Sequence, residues 1–226
     1  MSWSALPETN PPSEVLSIRR AIRQFLRETT SDEGRPIGSA RCGVYAFYDY
    51  DGEPIYVGQT VESLSTRIGR HLTGRRSDAV AKFVLDPFEV AEIEVWPLFE
   101  VEDLPREQQR ELVDHSEYTV YQTALSESEF GAVLNEGAIP EWEESAHLPV
   151  AYRARIIPEE LYEERKHPDI RIARRAQTIA NLARLISERV VSVGLRQTLL
   201  VQAQRLEWLA SRRFEQFDED DGDSSG

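Results

Sequence analysis

The segment that most constrains the fold is residues 43–60, GVYAFYDYDGEPIYVGQT. Two runs rich in aromatic and β-branched residues flank Asp51-Gly52, a dipeptide that supplies the positive φ angles of tight turns, so the segment predicts a β-hairpin. Positions near 47 then lie opposite positions near 56, which makes Tyr45 and Tyr56 close neighbours on adjacent strands. Taken alone, the two phenols are either a packed aromatic pair or one wall of a site.

The composition describes a globular chain without a membrane segment. It has 226 residues, 40% of them hydrophobic, and a mean hydropathy of −0.47. The single cysteine, Cys42, excludes an internal disulfide and a thiolate-rich metal site. No apolar run approaches the roughly 18 residues of a membrane span, and the N-terminal segment lacks the features of a signal peptide. We therefore expect no membrane partner and a cytoplasmic location.

The charge is strongly segregated along the chain. A formal net charge of −14 argues at first against nucleic acid, because phosphate binding requires lysine and arginine. However, residues 85–152 contain seventeen acidic and two basic side chains, and residues 153–217 contain eight acidic and thirteen basic ones. The tail, 218–226, adds five acidic residues. The total charge therefore does not describe every surface, and a locally basic face is permitted.

Hydrophobic periodicity predicts the remaining elements. They are a helix starting at Ser13, short helices in 62–74 and from Ser77, a strand in 89–98, and a helix from Pro105 to about Leu125. We expect 126–157 to be irregular and 168–213 to form a helical hairpin broken at Gly194. The apolar stripe predicted for its first helix is Ile172, Ala176, Ile179, Ala183, Ile186 and Val190.

The helix that follows the hairpin carries an arginine and a histidine on one face. Arg67 and His71 are separated by four residues, and Leu64, Ile68 and Leu72 form the neighbouring apolar stripe. The two polar residues are either solvated edge residues or a guanidinium placed for a phosphate beside an imidazole that carries a proton.

Glu117 interrupts the apolar stripe of the helix from 105 to 125. The stripe consists of Val113, Val120, Tyr121 and Ala124, and Glu117 lies in its middle, whereas Glu107, Glu111 and Asp114 fall off it. A carboxylate facing a core is unfavourable unless it is paired or holds a cation. A tyrosine or a buried arginine satisfies it in one interpretation, and a hard ion such as Mg²⁺ does so in the other.

Together these residues resemble the GIY-YIG nuclease family. The matching features are GVY at 43–45, YVG at 56–58, Arg67, His71 and Glu117, and the resemblance covers roughly 40–136. It implies an α+β fold: a small three-stranded antiparallel sheet flanked by helices. To that core this chain adds an N-terminal helix and a C-terminal helical hairpin.

The resemblance also implies roles for individual residues. Tyr45 is the expected general base or water-positioning group, His71 helps to take the proton, and Arg67 stabilises charge on the phosphate. Glu117 is expected to bind a divalent metal, Mg²⁺ or Mn²⁺, and Tyr56 to line the pocket. Asn135 and Gly58 are expected to support the site. The basic residues on and after the helix are candidate DNA contacts: Arg70, Arg75, Arg76 and Lys82.

These observations predict a metal-dependent DNA endonuclease, with a restriction or defence nuclease preferred. The alternatives are a structure-specific DNA repair or recombination nuclease, and a non-catalytic nucleic-acid- or protein-binding module on the same fold. The arginines near the start of the C-terminal hairpin, Arg171, Arg174 and Arg175, serve either domain packing or DNA binding. A homodimer through the C-terminal helices is a further prediction. The predicted units are an N-terminal helix and loop (1–35), the nuclease core (36–136), a linker with the helical extension (137–217), and a disordered acidic tail (218–226).

Overall fold

The computed structural model describes residues 13–72, 86–134, 139–188, 190–191 and 193–223, with the backbone alone for 218–223. The fold is α+β, as predicted. In chain order the elements are α1 (Ser13–Glu28), β1 (Gly43–Tyr48), β2 (Pro54–Thr60), α2 (Leu64–Leu72), β3 (Glu92–Pro97), α3 (Arg106–Glu127), β4 (Tyr152–Arg155), α4 (Glu159–Lys166), α5 (Pro168–Glu188) and α6 (Val193–Asp223). Every helix in the described residues is too short or too polar to span a lipid bilayer.

The predicted hairpin is present and forms the centre of the sheet. β1 and β2 are antiparallel, with Phe47 opposite Tyr56 and Tyr45 opposite Gly58. The turn follows the expected chemistry, because Gly52 has a φ of 79°. The Asp49 carboxylate also accepts hydrogen bonds from the backbone of residues 51 and 53, at 2.9 and 3.1 Å, which closes the turn.

The sheet of the described residues has four antiparallel strands in the order β2-β1-β3-β4, so the prediction of three strands was one short. β4 lies in the stretch predicted to be irregular and pairs with β3, with Val95 opposite Tyr152. Its sequence, YRAR, alternates two arginines with Tyr152 and Ala154, and these four residues give little apolar signal. Arg153 is held by Glu92, at 2.6 Å, and lies over the Tyr48 ring, so ionic and cation–π contacts fix this edge strand.

Two apolar clusters lie on opposite faces of the sheet. On one face, α1 and α2 cover a cluster that includes Tyr45, Phe47 and Tyr56. On the other face, α3 packs against β1 and β2. It buries Val113, Val120 and Ala124 of its predicted stripe, and Tyr121, the remaining member, is partly buried against the same cluster. β2 is an edge strand, and the helix that packs most against it is α3.

The C-terminal helices form the predicted hairpin, but its buried face differs from the predicted stripe. α5 and α6 pack together, and the residues that α5 buries are Arg171, Arg175, Leu182 and Leu185. Val190, the last residue of the predicted stripe, is fully exposed. The predicted stripe was wrong because pattern reading assigns the buried face to apolar residues, and here two arginines occupy it.

Buried ion pairs attach this hairpin to the turn of the β-hairpin. Arg171 and Arg175 donate to one oxygen of Asp49, at 3.0 and 2.8 Å, and Arg171 also donates to Asp51 at 2.6 Å. Arg205 of α6 donates to Glu53 at 3.2 Å. Arg171, Arg175 and Arg205 are at most 4% exposed. The arginines on the buried face of α5 therefore serve domain packing, the first of the two roles considered.

Two elements cross the boundaries of the predicted units. β4 adds a strand from beyond the predicted core limit at 136, and α6 ends at Asp223, inside the tail predicted to be disordered.

The C-terminal helices were also predicted to form a homodimer. Leu195 packs inside the chain with Leu134 and Leu182, and Leu199 lies against the same cluster. The homodimer stays a prediction, and these two leucines do not provide a free face for it.

Candidate active site

The two tyrosines face each other across the β1–β2 ladder. The Tyr45 and Tyr56 ring centroids are 6.2 Å apart, and both side chains are buried. Gly58, directly opposite Tyr45, makes this arrangement possible: a Cβ there would lie 2.7 Å from the Tyr45 hydroxyl oxygen and 2.8 Å from Tyr56 Cε1. The glycine that was predicted to support the site is therefore required by the space that the two rings occupy.

The imidazole of His71 completes this group. Tyr45 Oη and His71 Nε2 lie 3.1 Å apart and share a hydrogen bond whose donor depends on the tautomer of the ring. His71 also lies against Tyr56, with ring centroids 5.0 Å apart, and is only 4% exposed. The helical spacing explains the placement, because Leu64, Ile68 and His71 share the buried face of α2.

Arg67 of α2 lies near the two tyrosines and acts electrostatically on Glu117 as well. Burial lowers the pKa of its guanidinium, but the neighbouring phenols of Tyr45 and Tyr56 and the Glu62 carboxylate outweigh this effect, and the pKa is raised. The side chain is partly exposed, and its Nε is buried without a hydrogen-bond partner in the described structure. The cation is therefore close to both phenols and retains donors that it does not use.

Glu117 of α3 reaches the same region from the other face of the sheet. Burial and the nearby Asp114 carboxylate raise the pKa of Glu117 to about 7, although the charge of Arg67 acts in the opposite direction. Within the described residues Glu117 makes no hydrogen bond and no ion pair. A partly buried carboxylate next to an arginine and without a direct partner is the arrangement that a cation or a phosphate would complete.

The comparison with known protein families decides the identity of this region. Residues 41–112 match the model of the GIY-YIG catalytic domain. The chain carries a GIY-YIG catalytic domain. No curated protein and no solved structure matches the chain. The match spans the tyrosines, Arg67 and His71 but ends inside α3, so the inclusion of Glu117 depends on the geometry described above.

GIY-YIG nucleases generally depend on a divalent metal, so an acidic side chain of this site would have to bind one. The described residues contain no cluster of three or more His, Cys, Asp or Glu side chains that would enclose an ion. A single carboxylate is nevertheless compatible with Mg²⁺, which usually keeps several waters and binds through one or two carboxylates plus substrate phosphates. Glu117 fits this role, because it lacks a direct partner and lies near the cation, Arg67, that would face the phosphate.

Several predicted residues are not part of this group. Asn135, Arg75, Arg76 and Lys82 lie outside the described residues. Arg70 is on the exposed side of α2, where it pairs with Glu62.

Sequence analysis did not place Asp114 of α3 in the candidate site. Asp114 was noted only as lying off the apolar stripe of α3, yet it accepts a hydrogen bond from Gln59 Nε2 at 2.7 Å and its charge acts on Glu117. This contact ties α3 to β2 next to Gly58. The separation of three residues between Asp114 and Glu117 is the signal that was available, because such pairs are neighbours on a helix surface.

Proposed function

We propose that this chain is a DNA endonuclease that hydrolyses phosphodiester bonds with a divalent metal, Mg²⁺ or Mn²⁺. The single observation that carries the proposal is the position of Arg67, which acts electrostatically on Tyr45, Tyr56 and Glu117 together. A guanidinium between a base and a carboxylate suits a reaction in which negative charge develops on a phosphate. The GIY-YIG domain supports a nuclease in general terms, and DNA is the partner that we expect.

Tyr45 and His71 supply the proton-transfer pair in this proposal. An unperturbed phenol is a poor base at neutral pH, but a nearby cation favours the phenolate, and Arg67 provides one. In the tautomer with its proton on Nδ1, His71 accepts the hydrogen bond from Tyr45 Oη and takes up the proton that the phenol passes on. Tyr56 stacks beside both rings and keeps the phenol in place.

Arg67 and Glu117 define the side from which the phosphate approaches. Both are partly exposed, whereas Tyr45 and His71 are buried behind them. Arg67 donates to the non-bridging oxygens, and the planar fork of a guanidinium suits that geometry. When bound, a divalent ion held by Glu117 supplies Lewis-acid stabilisation of charge on the phosphate and leaving oxygens.

Cleavage assays with matched variants test this proposal. Plasmid, linear duplex and branched DNA are incubated with Mg²⁺ or Mn²⁺ and wild-type protein, Glu117→Gln or Arg67→Ala. Each variant should cut at least about a hundredfold more slowly, as is typical when one group that stabilises transition-state charge is removed. The controls are Glu111→Gln, an exposed carboxylate on the same helix, and Arg184→Ala, an exposed arginine of α5; both should cut at the wild-type rate.

The outcomes separate the alternatives. Equal cutting by all five proteins would show that the site is assigned wrongly. Preference for plain duplex supports a restriction or defence nuclease, the role we favour for a cytoplasmic enzyme of this kind. Preference for branched DNA supports a repair or recombination nuclease. If the wild-type protein cuts none of the substrates, the non-catalytic binding module becomes the better interpretation.

A further inference from the structure

A groove with a volume of about 540 Å³ runs between α1 and α2, and four of the nine residues that line it are arginines. From α1 it takes Arg19, Arg23 and Arg27, and from α2 it takes Arg70. Among the residues that the structure describes, no acidic side chain lines it. In a chain with a formal net charge of −14, a groove with this lining indicates an anionic partner.

The three arginines of α1 form one row. Their spacing of four residues places them along a single stripe, and at about 1.5 Å per residue the row extends roughly 12 Å along the helix. Beside this stripe, Ile22 and Leu26 are buried against the core, which fixes the direction in which α1 presents its cations. A row of this length covers about three to four phosphates of one DNA strand, which rise about 3.4 Å each.

These arginines are not used by the protein itself. In the described residues Arg19, Arg23 and Arg27 make no ion pair and no side-chain hydrogen bond. In contrast, Arg171 and Arg175 are enclosed by carboxylates in the core. The Nε atom of Arg19 is buried and has no hydrogen-bond partner there. The row therefore has donors and charge available for a ligand.

The groove continues onto the helix that carries the candidate active site. Thr66, Gly69 and Arg70 of α2 line it, and a Cβ added at Gly69 would meet no atom within 4 Å, so this side is open. Arg70 and Arg67 are three residues apart and neighbours on the helix surface. Arg70 pairs with Glu62, but both side chains are well exposed, and exposed pairs exchange partners at little cost.

We infer that this groove binds the sugar-phosphate backbone of duplex DNA and leads it to Arg67. The inference rests on the proposed function and names a surface for its substrate. Three guanidinium groups in a row, an open side at Gly69 and no carboxylate among the described lining residues suit phosphate contacts independent of sequence. The described residues of the groove include no aromatic side chain on which single-stranded bases would stack, so duplex DNA is the occupant that its chemistry favours.

The test is the salt dependence of DNA binding, measured by fluorescence anisotropy with a labelled duplex and Mg²⁺. All proteins carry Glu117→Gln so that cleavage does not interfere. Arg23→Gln/Arg27→Gln removes two exposed cations of the row, and the control Arg184→Gln/Arg196→Gln removes two exposed cations of the C-terminal hairpin. The slope of log affinity against log salt should become shallower by about 2 in the α1 variant. As a result, a fourfold rise in salt should weaken its binding about tenfold less than that of its parent.

The possible results distinguish this inference from the proposed function. An unchanged slope and affinity in the α1 variant, or an equal decrease in the control, would overturn the inference even if the wild-type protein cuts DNA. No binding of duplex by the parent protein at low salt would overturn both. A shallower slope in the α1 variant alone, combined with no cleavage by the wild-type protein, would support the groove and refute the endonuclease. Circular dichroism of both variants verifies that α1 and α5 remain helical.

Discussion

Replacing Glu117 with glutamine should make the protein more stable at alkaline pH while abolishing its activity. Burial, reinforced by Asp114, raises the pKa of Glu117 to about 7 from an ordinary value of 4.5. The folded chain therefore holds a proton that the unfolded chain releases between about pH 4.5 and 7. Because the folded state binds more protons in this window, the free energy of unfolding falls as the pH rises through it.

The size of the effect follows from the two pKa values. A pKa difference from 4.5 to about 7 corresponds to at most about 3 kcal/mol of stability lost above pH 7, and partial exposure of the side chain reduces this figure. Glutamine keeps the shape and cannot ionise. Below about pH 4.5 the two proteins should be almost equally stable, and above pH 7 the variant should be more stable by up to that amount.

Urea unfolding of both proteins at several pH values measures this difference, since contributions from other groups cancel in the comparison. Glu111→Gln, an exposed carboxylate on the same helix, is the control and should follow the wild-type profile. Parallel profiles for wild type and Glu117→Gln between pH 4.5 and 7 would refute the argument that this carboxylate is held without a partner. Adding Mg²⁺ at pH 8 should stabilise the wild-type protein and leave Glu117→Gln unchanged.

Two further substitutions test the packing around the site. Gly58→Ala places a Cβ 2.7 Å from the buried Tyr45 hydroxyl, so the unfolding free energy should fall by about 1–3 kcal/mol and cleavage should slow at least tenfold. Unchanged melting temperature and cleavage rate would contradict the packing argument. Asp49→Asn removes the negative charge that two buried guanidinium groups share, although Arg171 keeps Asp51 and Arg175 keeps Glu89, and it should lower the urea-derived unfolding free energy by about 3 kcal/mol, the lower end of the cost of breaking a buried ion pair. Asp169→Asn, which removes the exposed partner of Arg213, is the control and should have almost no effect; an equally small effect of Asp49→Asn would refute the role of the buried pairs.

Local chemistry made the hairpin and the helices of the core predictable. The register that brings Tyr45 beside Tyr56 follows from a turn at Asp51-Gly52, and the structure has that register. His71 lies on the buried face of α2 because of its spacing from Leu64 and Ile68. In each case the information lies within one element or one turn, where periodicity determines which side chains share a face.

The parts that sequence reading missed depend on contacts between distant segments. β4 has four residues, and its neighbour on β3 and the Tyr48 ring hold it in place, which a local pattern does not reveal. Two of the residues on the buried face of α5 are arginines that bind Asp49, which lies more than a hundred residues earlier in the chain. Likewise, the charge of Arg67 acts on Glu117 although the two residues belong to different helices, and no spacing in the sequence expresses this.

Folding also changes what the net charge implies about DNA. The basic segment 153–217 pairs with part of the acidic middle segment, since Arg174 pairs with Asp86, Arg175 with Glu89, and Arg153 with Glu92. The arginine row of α1 takes no part in these pairs. Its potential therefore reaches solvent beside α2, while many of the carboxylates behind the net charge are paired elsewhere. An acidic chain can in this way present a cationic path to a phosphodiester, so the formal charge of −14 is not an argument against a DNA substrate.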